Sequence, residues 1–101
     1  IYKNNSKLDV SNIIYENNVI IKYSKTKLEK KMKHIDYGLS IMTQEAFTTY
    51  RHDRFFDLGD LYEFLVEHKL IHPYLATERF YEIGTPESLA ETNQHFLKNF
   101  L

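Results

Sequence analysis

The chain has 101 residues and a formal net charge of −1, which fits one domain, or part of one, with a modest core. The balanced charge argues against bulk electrostatic binding to nucleic acid or to an anionic membrane, and no apolar run is long enough for a transmembrane helix. The absence of cysteine excludes disulfides and thiolate zinc sites and favours a reducing, cytoplasmic location.

The N-terminal third of the chain predicts a β-hairpin followed by a basic loop. Residues 2–7 are polar and turn-like. Two β-branched and aromatic runs, 13–16 and 19–23, flank Asn17-Asn18, and asparagine tolerates the positive φ of a two-residue turn. Residues 24–33 then carry five lysines, which predicts either a solvated loop or a patch that receives a phosphate.

The middle of the chain predicts a strand and two helices. Apolar and polar residues alternate over 35–42, with Gly38 where another group is expected to approach the backbone closely. Thr43 can cap a short helix that runs to about Tyr50, and residues 51–54 form a charged connection. A clear helix starts at Asp57, carries Asp60 in its first turn and presents an apolar face at helical spacing.

The last third predicts two short strands and a C-terminal helix. The strands are expected at 70–76 and 78–83. Gly84-Thr85-Pro86 is a turn followed by a cap and a favoured first helical residue, so a helix is expected to begin there. That helix is expected to bury Leu89, Phe96, Leu97 and Phe100, and the fold is predicted to be mixed α/β, with a sheet, a β-hairpin and flanking helices.

Three charged residues outside the predicted apolar faces are candidates for chemistry. Asp36 lies in a predicted strand and Glu82 ends one, where ligands of α/β sheets gather. Carboxylate oxygens there suit Mg²⁺, and Lys25 could meet a phosphate as a point charge. Capping and ion pairing are the structural alternatives for all three.

Several motifs in one order resemble a known enzyme family. They are Asp9-x-Ser11-Asn12, Tyr23-Ser24-Lys25 at the end of the hairpin, Ile35-Asp36-Tyr37-Gly38, Phe56-Asp57-Leu58-x-Asp60-Leu61-Tyr62, and Glu78-Arg79-Phe80-Tyr81-Glu82-Ile83-Gly84-Thr85-Pro86-Glu87. From about residue 9 to residue 100, the chain resembles the C-terminal half of sugar-1-phosphate nucleotidyltransferases, or NDP-sugar pyrophosphorylases. It is most similar to the heptose- and mannose-1-phosphate guanylyltransferase branch.

The resemblance implies the C-terminal part of a Rossmann-like fold and a magnesium-dependent reaction. In that reaction a sugar 1-phosphate attacks the α-phosphorus of a nucleoside triphosphate, pyrophosphate leaves, and an NDP-sugar forms for polysaccharide synthesis. The branch that the chain resembles suggests GTP as the nucleotide. Such phosphoryl transfer depends on positioning and charge neutralisation.

The resemblance also implies roles for particular residues. Lys25 matches a lysine that meets the sugar phosphate, although Ser24 and Thr26 replace that motif's usual glutamate and proline. Asp36 and Gly38 match the family's Asn-x-Gly strand, which lines the sugar pocket, so Asp36, Tyr37 and Gly38 are expected to bind the sugar. Glu82 matches an aspartate that helps hold Mg²⁺, and it keeps that residue's charge.

The nucleotide-binding half of the family is not found in residues 1–101, so no residue is assigned a catalytic role. The chain is expected to be a single partial domain, inactive alone, that self-associates through its hairpin or through the 35–42 strand. The substitutions at Ser24 and Glu82 favour an alternative, a non-catalytic binding or oligomerisation module that reuses the fold.

Overall fold

A computed structural model describes residues 1–50 and 55–101. These residues form a mixed α/β structure with a small four-stranded antiparallel sheet and three helices. The predicted connection at 51–54 lies outside the described residues. The elements are β1 (Tyr2–Lys3), β2 (Ile13–Glu16), β3 (Val19–Tyr23), β4 (His34–Ile35), α1 (Gln44–Thr49), α2 (Leu58–Glu67) and α3 (Pro86–Phe100).

The predicted β-hairpin is confirmed as β2 and β3. Glu16 pairs with Val19 across the turn, and Asn17 and Asn18 adopt φ values of 51° and 64°. This left-handed pair matches the twist of the flanking strands, which is why two asparagines are tolerated at the turn. The loop after the hairpin is solvated, since all five of its lysines are exposed.

The strand order is β1-β4-β2-β3, so the short β4 lies inside the sheet. The prediction of a polar turn at residues 2–7 was wrong at its start, because Tyr2 and Lys3 pair with Ile35 and His34. The predicted 35–42 strand was also wrong beyond Ile35.

The chain leaves the sheet after Ile35 because Asp36 closes a local turn. Its carboxylate Oδ1 accepts a hydrogen bond from the Gly38 amide at 2.9 Å, which replaces a partner strand. Gly38 adopts φ +83°, and a Cβ added there would meet nothing within 4 Å. The glycine therefore serves the backbone conformation, and the close approach expected at this position is not found.

The two strands predicted at 70–76 and 78–83 are wrong. Residues 70–83 run as irregular chain, with one isolated parallel bridge between Tyr2 and Ala76. The Ala76 amide donates to the Ile1 carbonyl at 2.8 Å, which fastens this segment beside β1. The segment lies beside the edge strand β1 but makes a single bridge to it, so the alternating pattern of these residues did not produce a strand.

The helix predicted from Asp57 is confirmed as α2. The Asp57 side chain accepts a hydrogen bond from the Gly59 amide at 2.6 Å, and Asp60 lies in the first turn. Its apolar face packs on the hairpin, and the resulting core consists of Ile13, Ile20, Tyr23, Tyr62 and Val66. The expected α1 helix is present, with Thr43 at its N-cap position but without a capping side-chain bond.

The start of α3 is confirmed, but its predicted burial is wrong. Thr85 Oγ1 accepts from the Ser88 amide at 3.1 Å, and Ser88 Oγ accepts from the Thr85 amide at 2.9 Å. The apolar side chains expected in the core are half-exposed or more. They are Leu89, Phe96, Leu97 and Phe100.

Within the two described ranges, no helix combines the length and the hydrophobicity needed to cross a bilayer.

Candidate functional site

A cavity of about 620 Å³ lies between the sheet and α2. Its floor comes from the hairpin through Ile13, Ile20 and Tyr23, and its inner wall from α2. The segments 36–46 and 70–76 border the remaining sides. Most of the lining is aliphatic or aromatic, and a few polar groups converge on it, which is typical of small-molecule pockets.

Tyr23 is the most unusual polar residue of this cavity. Its side chain is 4% exposed, yet its hydroxyl is buried without a hydrogen-bond partner among the described residues. Burial first, and then the nearby charge of Asp36, raises the pKa of Tyr23 to about 12. The phenol therefore stays protonated at neutral pH and has a hydrogen bond to donate.

Asp36 and Tyr37, which the resemblance predicts to bind a sugar, line the rim of the cavity. Asp36 is held by two bonds, from its amide to Asn12 Oδ1 at 3.3 Å and from the Gly38 amide to its own Oδ1. The Tyr37 hydroxyl donates to the Glu78 carbonyl at 2.9 Å, and its ring meets Phe80 edge-on at 5.8 Å. The rim is thus a fixed carboxylate beside a fixed aromatic ring.

A second polar contact joins the 36–46 segment to α2. The hydroxyls of Ser40 and Tyr62 are 2.6 Å apart, and the Tyr62 ring stands edge-on to Tyr23 at 5.7 Å. His72 also borders the cavity. These polar side chains lie among a mostly apolar lining.

Lys25 lies at the N-terminus of α2 and does not line the cavity. Its Nζ is 3.2 Å from Asp57 Oδ1, in an ion pair with about half of each side chain exposed. The Gly59 amide, and then Lys25, lower the pKa of Asp57 below its usual value. Lys25 therefore has the structural role of an ion-pair partner, and a phosphate would have to compete with Asp57 for it.

Glu82 is separate from the cavity and folds back on its own turn. Its Oε2 accepts from the Gly84 amide at 2.8 Å, and its carbonyl accepts from Thr92 Oγ1 at 2.7 Å. Across residues 1–50 and 55–101, no group of three His, Asp or Glu side chains is placed to hold a metal ion. Glu82 can offer a single carboxylate to Mg²⁺, which is too few ligands for a protein site by itself.

Gly84, Thr85 and Pro86 have the structural role that was predicted. A Cβ at position 84 would lie 2.7 Å from Glu82 Oε2, so a side chain there would displace that carboxylate. Thr85 caps α3, and Pro86 is its first residue. The turn fixes where α3 begins but faces away from the cavity lining.

Sequence reasoning missed three pocket residues, Tyr23, Ser40 and Tyr62. Tyr23 was read only as the end of a strand and Tyr62 only as part of an apolar helix face. The available signal was that both carry a hydroxyl at a position expected to be buried, where such a group needs a partner.

Comparisons with known proteins found no matching family model, no similar curated protein and no similar solved structure. The functional argument therefore depends on the residues themselves.

Proposed function

We propose that this chain is the sugar-phosphate-binding half of a sugar-1-phosphate nucleotidyltransferase. The observation that carries the proposal is the position of Asp36 and Tyr37 in the cavity lining. Asp36 and Gly38 match the family's sugar-pocket motif in sequence, although Gly38 itself does not line the cavity, and the Tyr23 side chain contributes to the same lining. The described part would be the C-terminal portion of a Rossmann-like fold, acting in the cytoplasm.

In the proposed reaction, an oxygen of the sugar 1-phosphate forms a bond to the α-phosphorus of a nucleoside triphosphate. The bond from that phosphorus to the β-phosphate oxygen breaks, and pyrophosphate leaves. The role of this chain would be to hold the sugar. Asp36 would accept hydrogen bonds from sugar hydroxyls, and the Tyr37 ring would pack on a sugar face.

Lys25 would neutralise the sugar phosphate after leaving Asp57. Mg²⁺ supplies charge neutralisation on the phosphates when bound, and Glu82 would contribute one of its ligands. The remaining ligands and the nucleotide site would come from outside the described residues, so the 101-residue chain is expected to bind a sugar phosphate without releasing pyrophosphate.

The experiment is a titration of the 101-residue chain with mannose 1-phosphate, followed by NMR chemical shifts. We expect binding in the millimolar range, with shifts at Asp36 and Tyr37. Asp36→Ala is expected to weaken binding about tenfold, the effect of losing one hydrogen bond to a charged group. Asp9→Ala is the matched control, because Asp9 is exposed and does not line the cavity.

Two outcomes would overturn the proposal. One is the absence of shifts at the cavity with every sugar 1-phosphate tested. The other is equal binding by the chain and by its Asp36→Ala variant. Pyrophosphate release by the chain alone would instead refute the assignment of an inactive half.

A non-catalytic interaction module is the second candidate, and a specific observation favours it. Many large apolar side chains are exposed, including Ile41 and Phe55, which are both 99% exposed. Scattered apolar residues are normal on a surface, but contiguous ones mark interfaces. Such a module would bind a protein partner, and its NMR chemical shifts would not change when sugar phosphates are added.

A further inference from the structure

Helix α3 is attached to the rest of the protein through its polar face. Thr92 is buried and donates to the Glu82 carbonyl, and the His95 ring stacks on Tyr81 with 3.9 Å between ring centroids. Glu91 forms a two-bond ion pair with Arg79 at 2.9 and 3.1 Å. The residues that fasten the helix are thus threonine, histidine and glutamate.

The apolar face of α3 points away from these contacts. At 100° per residue, Leu89, Phe96 and Phe100 fall within an arc of about 40°, with Asn93 and Leu97 beside them. Phe96 is 50% exposed and Phe100 67% exposed. An amphipathic helix normally buries its apolar stripe, so this orientation leaves a surface that a further partner would cover. We call the stripe of Leu89, Asn93, Phe96, Leu97 and Phe100 the outer seam.

We infer that the outer seam pairs with the same seam of a second copy, with the two α3 helices antiparallel about a twofold axis at Asn93. This inference is independent of the proposed sugar-binding function. It rests on the self-complementarity of the sequence in α3. A twofold contact brings the same patch of each copy together, so each residue must fit its counterpart.

The counterparts about Asn93 do fit. Leu89 faces Leu97 of the second copy, and Phe96 faces Ala90. Phe100 faces Pro86, and Asn93 faces itself, where two side-chain amides can exchange hydrogen bonds. Each phenylalanine therefore meets a smaller residue and the two leucines meet each other, as interdigitating helices allow.

Charge and area both favour a second copy as the occupant. The charged residues of α3, which are Glu87, Glu91 and Lys98, lie on the side of the helix away from the outer seam, so identical charges do not meet. Each of the two half-exposed phenylalanine side chains presents roughly 100 Å² of apolar surface to solvent. With the leucines, a pair of seams would bury on the order of 1,000 Å², which reaches the lower range of specific interfaces.

The first test measures the molar mass of the 101-residue chain by light scattering across a concentration series. We expect a monomer–dimer equilibrium. Asn93→Glu places two like charges on the twofold axis and is expected to raise the dissociation constant at least about tenfold. Gln94→Glu adds the same charge to the next residue, away from the seam centre, and is expected to leave the constant unchanged.

The second test locates the contact with a single introduced cysteine, because the chain has none. Asn93→Cys is expected to form a disulfide-linked dimer under mild oxidation, since a residue on the twofold axis meets its own copy. Lys98→Cys lies on the other side of the helix and is expected to remain monomeric under the same conditions. Circular dichroism checks that both variants keep their helix content.

Three results would overturn the inference. A monomer at all concentrations would mean that the outer seam is covered by a different partner or by further chain. A dimer that Ile21→Lys dissociates and Asn93→Glu does not would place the contact at the exposed edge strand β3. A dimer that neither substitution affects, with no cross-link at residue 93, would exclude both surfaces.

Discussion

Helices α2 and α3 have similar sequence patterns, but the apolar face of α2 is buried and that of α3 is exposed. Both begin at a side-chain cap and both carry an apolar stripe. The stripe of α2 is buried on the hairpin, with Leu61 0% exposed, whereas the stripe of α3 is turned outward. An apolar stripe thus specifies that a helix needs a partner, and it does not specify which partner.

Leucine-to-alanine substitutions should show the largest difference in stability effect between the two helices. Leu61→Ala removes a fully buried side chain from α2, and we expect a loss of about 3 kcal/mol in the free energy of unfolding. Leu97→Ala makes the same change on the half-exposed face of α3 and should cost less than about 1 kcal/mol in dilute solution. Urea denaturation measures both, and equal losses would mean that the α3 face is packed within the monomer.

The unpartnered Tyr23 hydroxyl provides the next test, because its ionisation should make the stability of the core around α2 depend on pH in the alkaline range. The folded-state pKa of about 12 lies above the ordinary value of 10, so the unfolded chain loses this proton first. The stabilising contribution is complete below pH 10 and is lost as the pH rises towards 12. We expect about 1–2 kcal/mol over that range.

The matched variants isolate this effect from the other seven tyrosines. Tyr23→Phe should be close to neutral at pH 7, because it replaces an unpartnered buried hydroxyl, and it should resist alkaline unfolding. Tyr74→Phe, at an exposed site, should unfold like the parent chain. Identical pH profiles for all three proteins would show that the Tyr23 hydroxyl is solvated or bonded.

Loss of the α3 cap should affect that helix alone, whereas loss of the α2 cap should affect the stability of the whole domain. Thr85→Ala removes the cap of α3, and we expect about 1 kcal/mol, or roughly fivefold faster amide exchange in its first turn. Asp57→Ala removes the cap of α2 and should lower the melting temperature of the whole domain, because α2 is part of the core. Asp57→Asn keeps a capping oxygen and should be much milder.

The smallest expected effect concerns the ion pair that attaches α3. Hydrogen bonding to Arg79 lowers the pKa of Glu91, so the stabilising contribution is present above the usual carboxylate pKa and is lost as the pH falls below it. Glu91→Gln should slightly increase the rate of amide exchange in α3 at pH 7. It should also remove the part of the acid-induced destabilisation of α3 that comes from protonation of Glu91. An NMR titration of Glu91 with an unshifted pKa would contradict this assignment.

The elements that the sequence predicted correctly are those with local causes. Asn17 and Asn18 specify the hairpin turn, Asp57 specifies the start of α2, and Thr85 with Pro86 specifies that of α3. Of the candidate site residues, Asp36 and Tyr37 line a cavity, and their role in binding stays a prediction. Lys25 and Glu82 do not line it, because Asp57 and the Gly84 amide lie within hydrogen-bonding distance of them.

The sequence by itself determined the turns, the caps and the helix periods, because each depends on a few neighbouring residues. Only the tertiary structure decided which alternating segments became strands, since a strand needs an edge to pair with, and residues 70–83 found only one bridge. The tertiary structure also decided which face of α3 is buried. The contacts of Glu91, Thr92 and His95 with residues 79–82 turn its apolar face outward, and no pattern within the helix encodes that choice.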